Sequence, residues 1–460
     1  MSGTGSTVAA GVPRSKVAAW ALWDCGSTGM NAIVSTFVFS VYLTGTVGVG
    51  LGGDTSPASW LGRALTIAGL AVAVLAPLTG VVVQVPQRRR AALTVLIALA
   101  VAFTASMVLI RADPRYLLPG LALLALTAAC GDLASVPYNA MLRQLSTRQT
   151  AGRISGLGWA AGYTGSVLLL LLIYVGFIMG DGPTRGLLNV PVEDGWNVRA
   201  AMLLAAAWLA VLSLPLLVTA RSLAGVAEDG ARVTGGVLGA YRRLWADLRG
   251  EWQRDRNFAF YLVVSAVFRD GLAGVFAFGA VLGVSVYGIS PANVLIFGVV
   301  ASTVAALGAV IGGRLDDRFG AKPVIVTSLS ALIVVALFLL ALSGPVAFWV
   351  CGLLLGLFAG PTQSAARTLL LRMTGEGKEG VAFGLYTMTG GRRPSWRRGC
   401  SSFSSTCSTR TGPAWAESVW CWRPVWSGCC WCVSTGPELN DRAGRSHAAP
   451  VQMVNPRPLR

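Results

Sequence analysis

Charge is what this sequence has least of. Asp, Glu, Lys and Arg together make up 12% of its 460 residues, about half the ~25% of a soluble domain. Over such a length, the deficit excludes an ordinary water-soluble fold. Histidine occurs once, as His447. The body of the chain therefore cannot hold a His-based metal site or a His-containing triad. No Gly-x-x-x-x-Gly-Lys-Ser/Thr phosphate loop is present, which argues against an ATP-driven pump. No nucleophile stands in a recognisable pattern with a base, so an enzyme is not expected, nor is a cofactor. A cleavable signal peptide is not expected either. The residues before Val17 are polar and small, and the first apolar run is too long for a signal core.

Hydrophobic residues reach 54%. They gather in long runs such as Ala91 to Ile110, Leu117 to Cys130 and Val324 to Leu342. Crossing a bilayer as a helix takes ~20 mostly apolar residues. The runs predict spans at 17–43, 59–83, 91–111, 116–141, 152–179, 198–219, 257–284, 291–312, 323–342, 345–370 and 380–390, the last cut short.

The loops between these spans alternate in charge. Arg14 and Lys16, Arg88 to Arg90, Arg143 and Arg148, the run Arg221 to Arg256, Arg314 to Lys322, and Arg372 with Lys378 occupy one set. Asp54, Asp113, Asp181, Glu193 and Asp194 occupy the other, with few Arg. Basic loops stay in the cytoplasm, so the amino terminus is expected there and the lipid partner is the cytoplasmic membrane. The net charge of +17 is then a matter of topology, and no nucleic-acid partner is expected.

The chain echoes itself. Asp24 matches Asp270, Gly80 with Arg88–Arg90 matches Gly313 with Arg318 and Lys322, and Pro137–Arg143 matches Pro361–Arg367. A parallel repeat of six helices is the mark of the major facilitator architecture. The expected fold is an all-α membrane protein, two six-helix bundles of the major facilitator kind, with helix 11 truncated and helix 12 replaced by a frameshifted tail. The corresponding divisions are 1–220 for the first bundle, 221–256 for a cytoplasmic linker, 257–390 for the incomplete second bundle and 391–460 for an aberrant, disordered tail.

The tail expectation rests on codon logic. After Gly390 the sequence turns rich in Ser, Cys and Trp. Trp and Cys codons begin with TG and most Ser codons with TC. Displaced by two bases, these become NTG and NTC codons, all of which encode apolar residues. The stretch from Glu417 then reads as a twelfth helix. A zinc or disulfide module is disfavoured, because the six cysteines from Cys400 to Cys432 lack two well-spaced ligand pairs.

Charges within lipid cost ~3 kcal/mol on insertion scales and usually mark function. The candidates for solute or coupling-ion binding are Asp24, Asn31, Asp132, Asn139, Arg269, Asp270 and Gln363. Helical spacing puts Asp24, Asn31 and Tyr42 on one face, and Asp132 with Asn139 on another. Arg269 and Asp270 point ~100° apart, so each needs a partner elsewhere. Arg269 is expected to meet Asp132 or Asp24 across a central cavity, the competing possibility being a fixed ion pair that only locks helices together. A carboxylate there is a candidate proton carrier, since desolvation favours its neutral form and a nearby Arg its charged form.

The gating candidates are Gly313, Asp317, Arg318, Gly320, Lys322 and Arg367. Glycines in this segment are expected to allow a tight turn. Asp317 is expected to meet the start of helix 5 near Gly152, and Arg367. In the amino-terminal copy Gln84 replaces the acid, so that latch should be weaker or made by another residue.

Several stretches together resemble the vacuole-effluxer branch of the major facilitator superfamily, named for a fungal vacuolar amino-acid exporter. They are WALWDCGSTG (Trp20–Gly29), VPYNAMLRQL (Val136–Leu145), GRISGLGWAAGY (Gly152–Tyr163), FRDGLAGVFAFGA (Phe268–Ala280), GPTQSAARTLLLRM and FGLY (Phe383–Tyr386). The resemblance implies twelve helices, a small-molecule solute and alternating access, with an amino acid as a loose indication only. A monomer is expected.

Overall fold

The structure, a computed structural model, describes residues 13–49, 56–180, 182–223, 249, 256–285, 287 and 291–390. The linker at 221–256, for the most part, and the tail at 391–460 lie outside the described residues.

Among the described residues ten helices are long and apolar enough to cross a membrane. The helices are α1 (Arg14–Val47), α2 (Pro57–Val82), α3 (Pro86–Ser106), α4 (Leu117–Ala140), α5 (Ala151–Ile173), α6 (Trp196–Leu223), α7 (Arg256–Ser285), α8 (Pro291–Phe319), α9 (Ala321–Ala341) and α10 (Pro345–Met373). A shorter α11 (Glu379–Gly390) follows. The expected spans agree to within six residues at each end except that α8 runs on to Phe319, past the expected 312. Proline opens α2 and α10, where its missing N–H costs nothing and its fixed φ suits a first turn. Ser56 caps α2 by accepting from the Ser59 amide at 3.3 Å. Val267, Leu340 and Val346 are exposed, as suits side chains solvated by lipid.

Helix α1 is not uniformly α-helical. Ala32–Phe37 and Leu43–Val47 are π-helical. The wider π turn rotates everything beyond it. Tyr42 therefore leaves the face shared by Asp24 and Asn31 and donates to the Ile110 carbonyl at 3.2 Å. The expectation of a common face for all three fails for this reason.

Helix α5 carries two glycine stripes. Gly158, Gly162 and Gly165 meet Trp20, Thr28 and Cys25 of α1. Gly152 and Gly156 meet Gly313 and Ala309 of α8. Small residues let backbones come close where lipid offers no hydrophobic drive between helices. A second seam joins α2 to α11, where Gly80 faces Gly380 and Gly384 approaches Ala76. Both seams lie at the end that carries the basic loops. At the other end a short hairpin, β1 (Thr184–Arg185) with β2 (Val190–Pro191), precedes Asp194. That carboxylate accepts from the Ala112 amide at 3.1 Å and pairs with Arg199 at 3.0 Å, tying two loops together.

Candidate functional site

Asp24 lies ten residues into α1, and Arg367 lies six residues before the end of α10. At 1.5 Å per residue both are buried well inside the membrane-spanning length. Arg367 Nη2 and Nη1 stand 3.3 and 3.4 Å from Asp24 Oδ2. The Tyr138 hydroxyl donates to the same oxygen at 3.0 Å. Tyr138 is held flat against Trp20, with ring centroids 4.4 Å apart and planes 7° apart. The Trp20 indole N–H donates to the Tyr138 carbonyl at 3.1 Å. Three rings surround the guanidinium: Trp20 and Trp159 at 5.3 Å and Tyr138 at 5.5 Å. Each such contact adds roughly 0.5–2 kcal/mol. An ion pair and an aromatic cage thus join α1, α4 and α5 to α10.

This overturns two expectations. Asp24 meets Arg367, not Arg269. Arg367 holds this buried carboxylate, not the loop acid Asp317. The reason is depth: α10 continues to Met373, so Arg367 sits a turn and a half inside the helix. Arg269 turns elsewhere. Its Nη1 donates to the Tyr386 carbonyl at 2.8 Å, and its guanidinium lies 3.9 Å from the Tyr386 ring centroid.

Burial changes along the α1 face. Asp24 is 8% exposed, whereas Asn31, two turns further along the same face, is exposed. On α4 the same step separates nearly buried Asn139 from exposed Asp132. On both helices, then, the residue at the level of Asp24 is buried and the one two turns away is exposed. Asp270 is half-buried on α7. Gln363 donates to the Tyr163 hydroxyl at 3.2 Å.

At the basic end Asp317 accepts from the Gly152 amide at 2.7 Å and the Arg153 amide at 3.1 Å. These are unsatisfied first-turn donors of α5, where a carboxylate is favoured, and the expected contact with the start of helix 5 is present. Gly320 has φ of 92° and makes the turn between α8 and α9. Gly313 does not turn; it lies inside α8 and serves close approach. Arg318 is exposed, 5.2 Å from the Phe319 ring, and Lys322 is exposed too.

Four residues missed by sequence reasoning complete this end. Asp316 is buried and accepts from Thr368 and Arg372. Arg372 also reaches the Arg148 carbonyl at 3.4 Å. Arg143 donates to the carbonyls of Leu371, at 2.8 Å, and of Thr374, and pairs with Glu379 at 2.5 Å. The acid absent at Gln84 is thus supplied by the first turn of α11. In the repeat Gln84 falls opposite Asp317 and Glu379 falls opposite Ala151, so the replacement acid comes from a different place, the start of α11. Asp317→Asn and Glu379→Gln should each weaken closure of this end by about 1–2 kcal/mol, roughly a tenfold population shift. Maleimide labelling of a cysteine at Ala309 should accelerate accordingly, and an unchanged rate would dismiss the latch.

This helical arrangement, two sets meeting at one end around a buried ion pair, is the fold of a major facilitator transporter. The structure resembles the proton:xylose symporter XylE at 14% identity, with a TM-score of 0.63 over 86% of this chain and 89% of that one. It resembles an outward-facing bacterial homologue of the iron transporter ferroportin at 14% identity, TM-score 0.60, over 85% and 92%. Outward-facing FucP matches at 14% identity with a TM-score of 0.56, over 85% and 94%. In sequence, the chain is 21% identical to the MFS-type transporter YxiO of Bacillus subtilis (strain 168), across 81% of this chain and 84% of that protein. The family model described as "Vacuole effluxer Atg22 like" matches residues 51–396, and the chain belongs to that family. It is a multi-pass membrane protein of a transporter family, not an enzyme.

Proposed function

We propose that this protein is a secondary active transporter that moves a small solute across the cytoplasmic membrane by alternating access, with protons coupled through Asp24. The observation that carries this is the change of burial along the α1 face: closed at Asp24, open at Asn31. With the basic loops in the cytoplasm, the open side faces outward and the latches close the cytoplasmic gate. Opening that gate separates Arg367 on α10 from Asp24 on α1. A buried carboxylate without its counter-ion favours the neutral, protonated form, so parting the helix sets links proton binding to conformation. XylE and FucP are proton symporters for xylose and fucose, so the fold serves such coupling. The solute in this reading is an amino acid or related metabolite, which the resemblance to vacuole effluxers implies only loosely. The working arrangement is a monomer of two bundles, 1–220 and 257–390, joined by 221–256, with Asn31, Asp132, Asn139, Arg269, Asp270 and Gln363 facing the solute path.

The test is flux in reconstituted vesicles. Uptake of labelled amino acids driven by an imposed pH gradient should vanish in Asp24→Asn and in Asp270→Asn, while both variants elute as the parent does. Undiminished flux in both would end the assigned roles. A second reading is an inactive remnant of such a transporter. It is favoured by the change of composition after Gly390. Sequencing the gene around the Gly390 codon separates the two: an intact downstream frame favours transport.

A further inference from the structure

Trp159 and Tyr163 lie one turn apart on α5, and Gln363 and Arg367 lie one turn apart on α10. The two helices run in opposite directions. Tyr163 and Gln363 therefore occupy the same layer, ~6 Å outward of the Trp159–Arg367 layer. Exposure is graded through three levels. Arg367 is 6% exposed and Asp24 8%, Tyr163 and Gln363 are half-buried, and Asn31 is exposed. The Tyr163 ring stands 5.9 Å from that of Trp159 and packs against the cluster that Ala160 forms with Ala306 and Ala309 of α8. Its hydroxyl accepts from Gln363 Nε2 at 3.2 Å. One side chain thus bridges α5 to both α8 and α10 at the level where the cleft ends.

We infer that Tyr163 is a gate residue whose contact with Gln363 forms a floor, one side chain thick, between the open cleft and the Asp24–Arg367 pair. While the floor holds, water and solute in the cleft do not reach the pair. The hydrogen bond crosses between the two helix sets, so it breaks as they rearrange. The inference deepens the alternating-access reading, but its test reads accessibility and does not require flux.

Ser364 offers the probe. It is fully buried on α10 between Gln363 and Arg367, with its hydroxyl bonded to its own helix at Pro361 O, 3.2 Å away. In the full chain with its nine native cysteines replaced by alanine, Ser364→Cys is placed in nanodiscs. It is then treated with a trimethylammonium-ethyl methanethiosulfonate. An Asn31→Cys chain, open to the cleft, is the reference and should react quickly. Ser364→Cys should react far more slowly. Adding Tyr163→Phe, which keeps the ring and loses one hydrogen bond, should raise the rate about fivefold. Adding Tyr163→Ala should raise it further. Two results would overturn the gate: a Ser364→Cys rate equal to that at position 31, or a rate unmoved by both Tyr163 substitutions. Asp24→Asn with full flux but an intact accessibility pattern would sink proton coupling and leave the floor standing.

Discussion

Gly156→Leu should leave the protein inserted and folded but unable to close its basic end. A Cβ at position 156 would stand 2.4 Å from the Ala309 carbonyl oxygen and 3.1 Å from the Gly313 Cα. Both are backbone atoms of α8, which cannot swing aside as a flexible side chain does. The helices must therefore part, and the leucine's remaining atoms widen the gap. Parting α5 from α8 also pulls the Gly152 and Arg153 amides away from Asp317. The closed arrangement loses its packing and its helix cap together. An arrangement with the basic end open has no such clash. Solute flux should cease, because the cycle needs both arrangements. Spin labels at Arg88 and Glu376, exposed residues across the α2–α11 seam, should report a longer distance than in the parent. Gly380→Val should act alike, since its Cβ would fall 2.4 Å from the Gly80 carbonyl oxygen. A distance distribution identical to the parent's in both variants would show that these seams do not set the conformation.

The second large effect concerns stability. Removing one member of a buried ion pair leaves the other charge uncompensated, at a cost of roughly 3–5 kcal/mol. Asp24→Asn and Arg367→Gln should each lower the thermal transition in detergent clearly. The double variant should recover most of the loss, because no lone charge stays buried. Arg367→Gln should be the harsher of the two. It strips the cation from a cage of Trp20, Tyr138 and Trp159 that no neutral side chain of that length fills in the same way. Additive losses in the double variant would mean that the two residues do not act as a pair. Flux should not recover with stability, since the double variant has no proton site at position 24.

Much of the fold was legible in the chain. Apolar runs mark the spans, and charge marks the common side of the basic loops. Asp317 at the start of α5 followed from its place in a repeated loop. The partner of Asp24 did not follow. Arg367 and Arg269 are both cations in apolar spans, and nothing local separates them. The outcome depends on how far α10 continues past Leu370 and on which way α7 is turned. Glu379 is one acid among the charges of a loop in the sequence, and its role appears only where α11 packs against α4.

The sequence alone determined that lipid surrounds this protein, where its long apolar helices lie, and which loops share a side. Those properties are sums over neighbouring residues, and hydropathy and charge are carried by each residue wherever it lies. Only the tertiary structure decided which buried charges meet and where the cleft ends. Those depend on helix depth and rotation, which are fixed by glycine contacts between distant segments and by the π turns in α1.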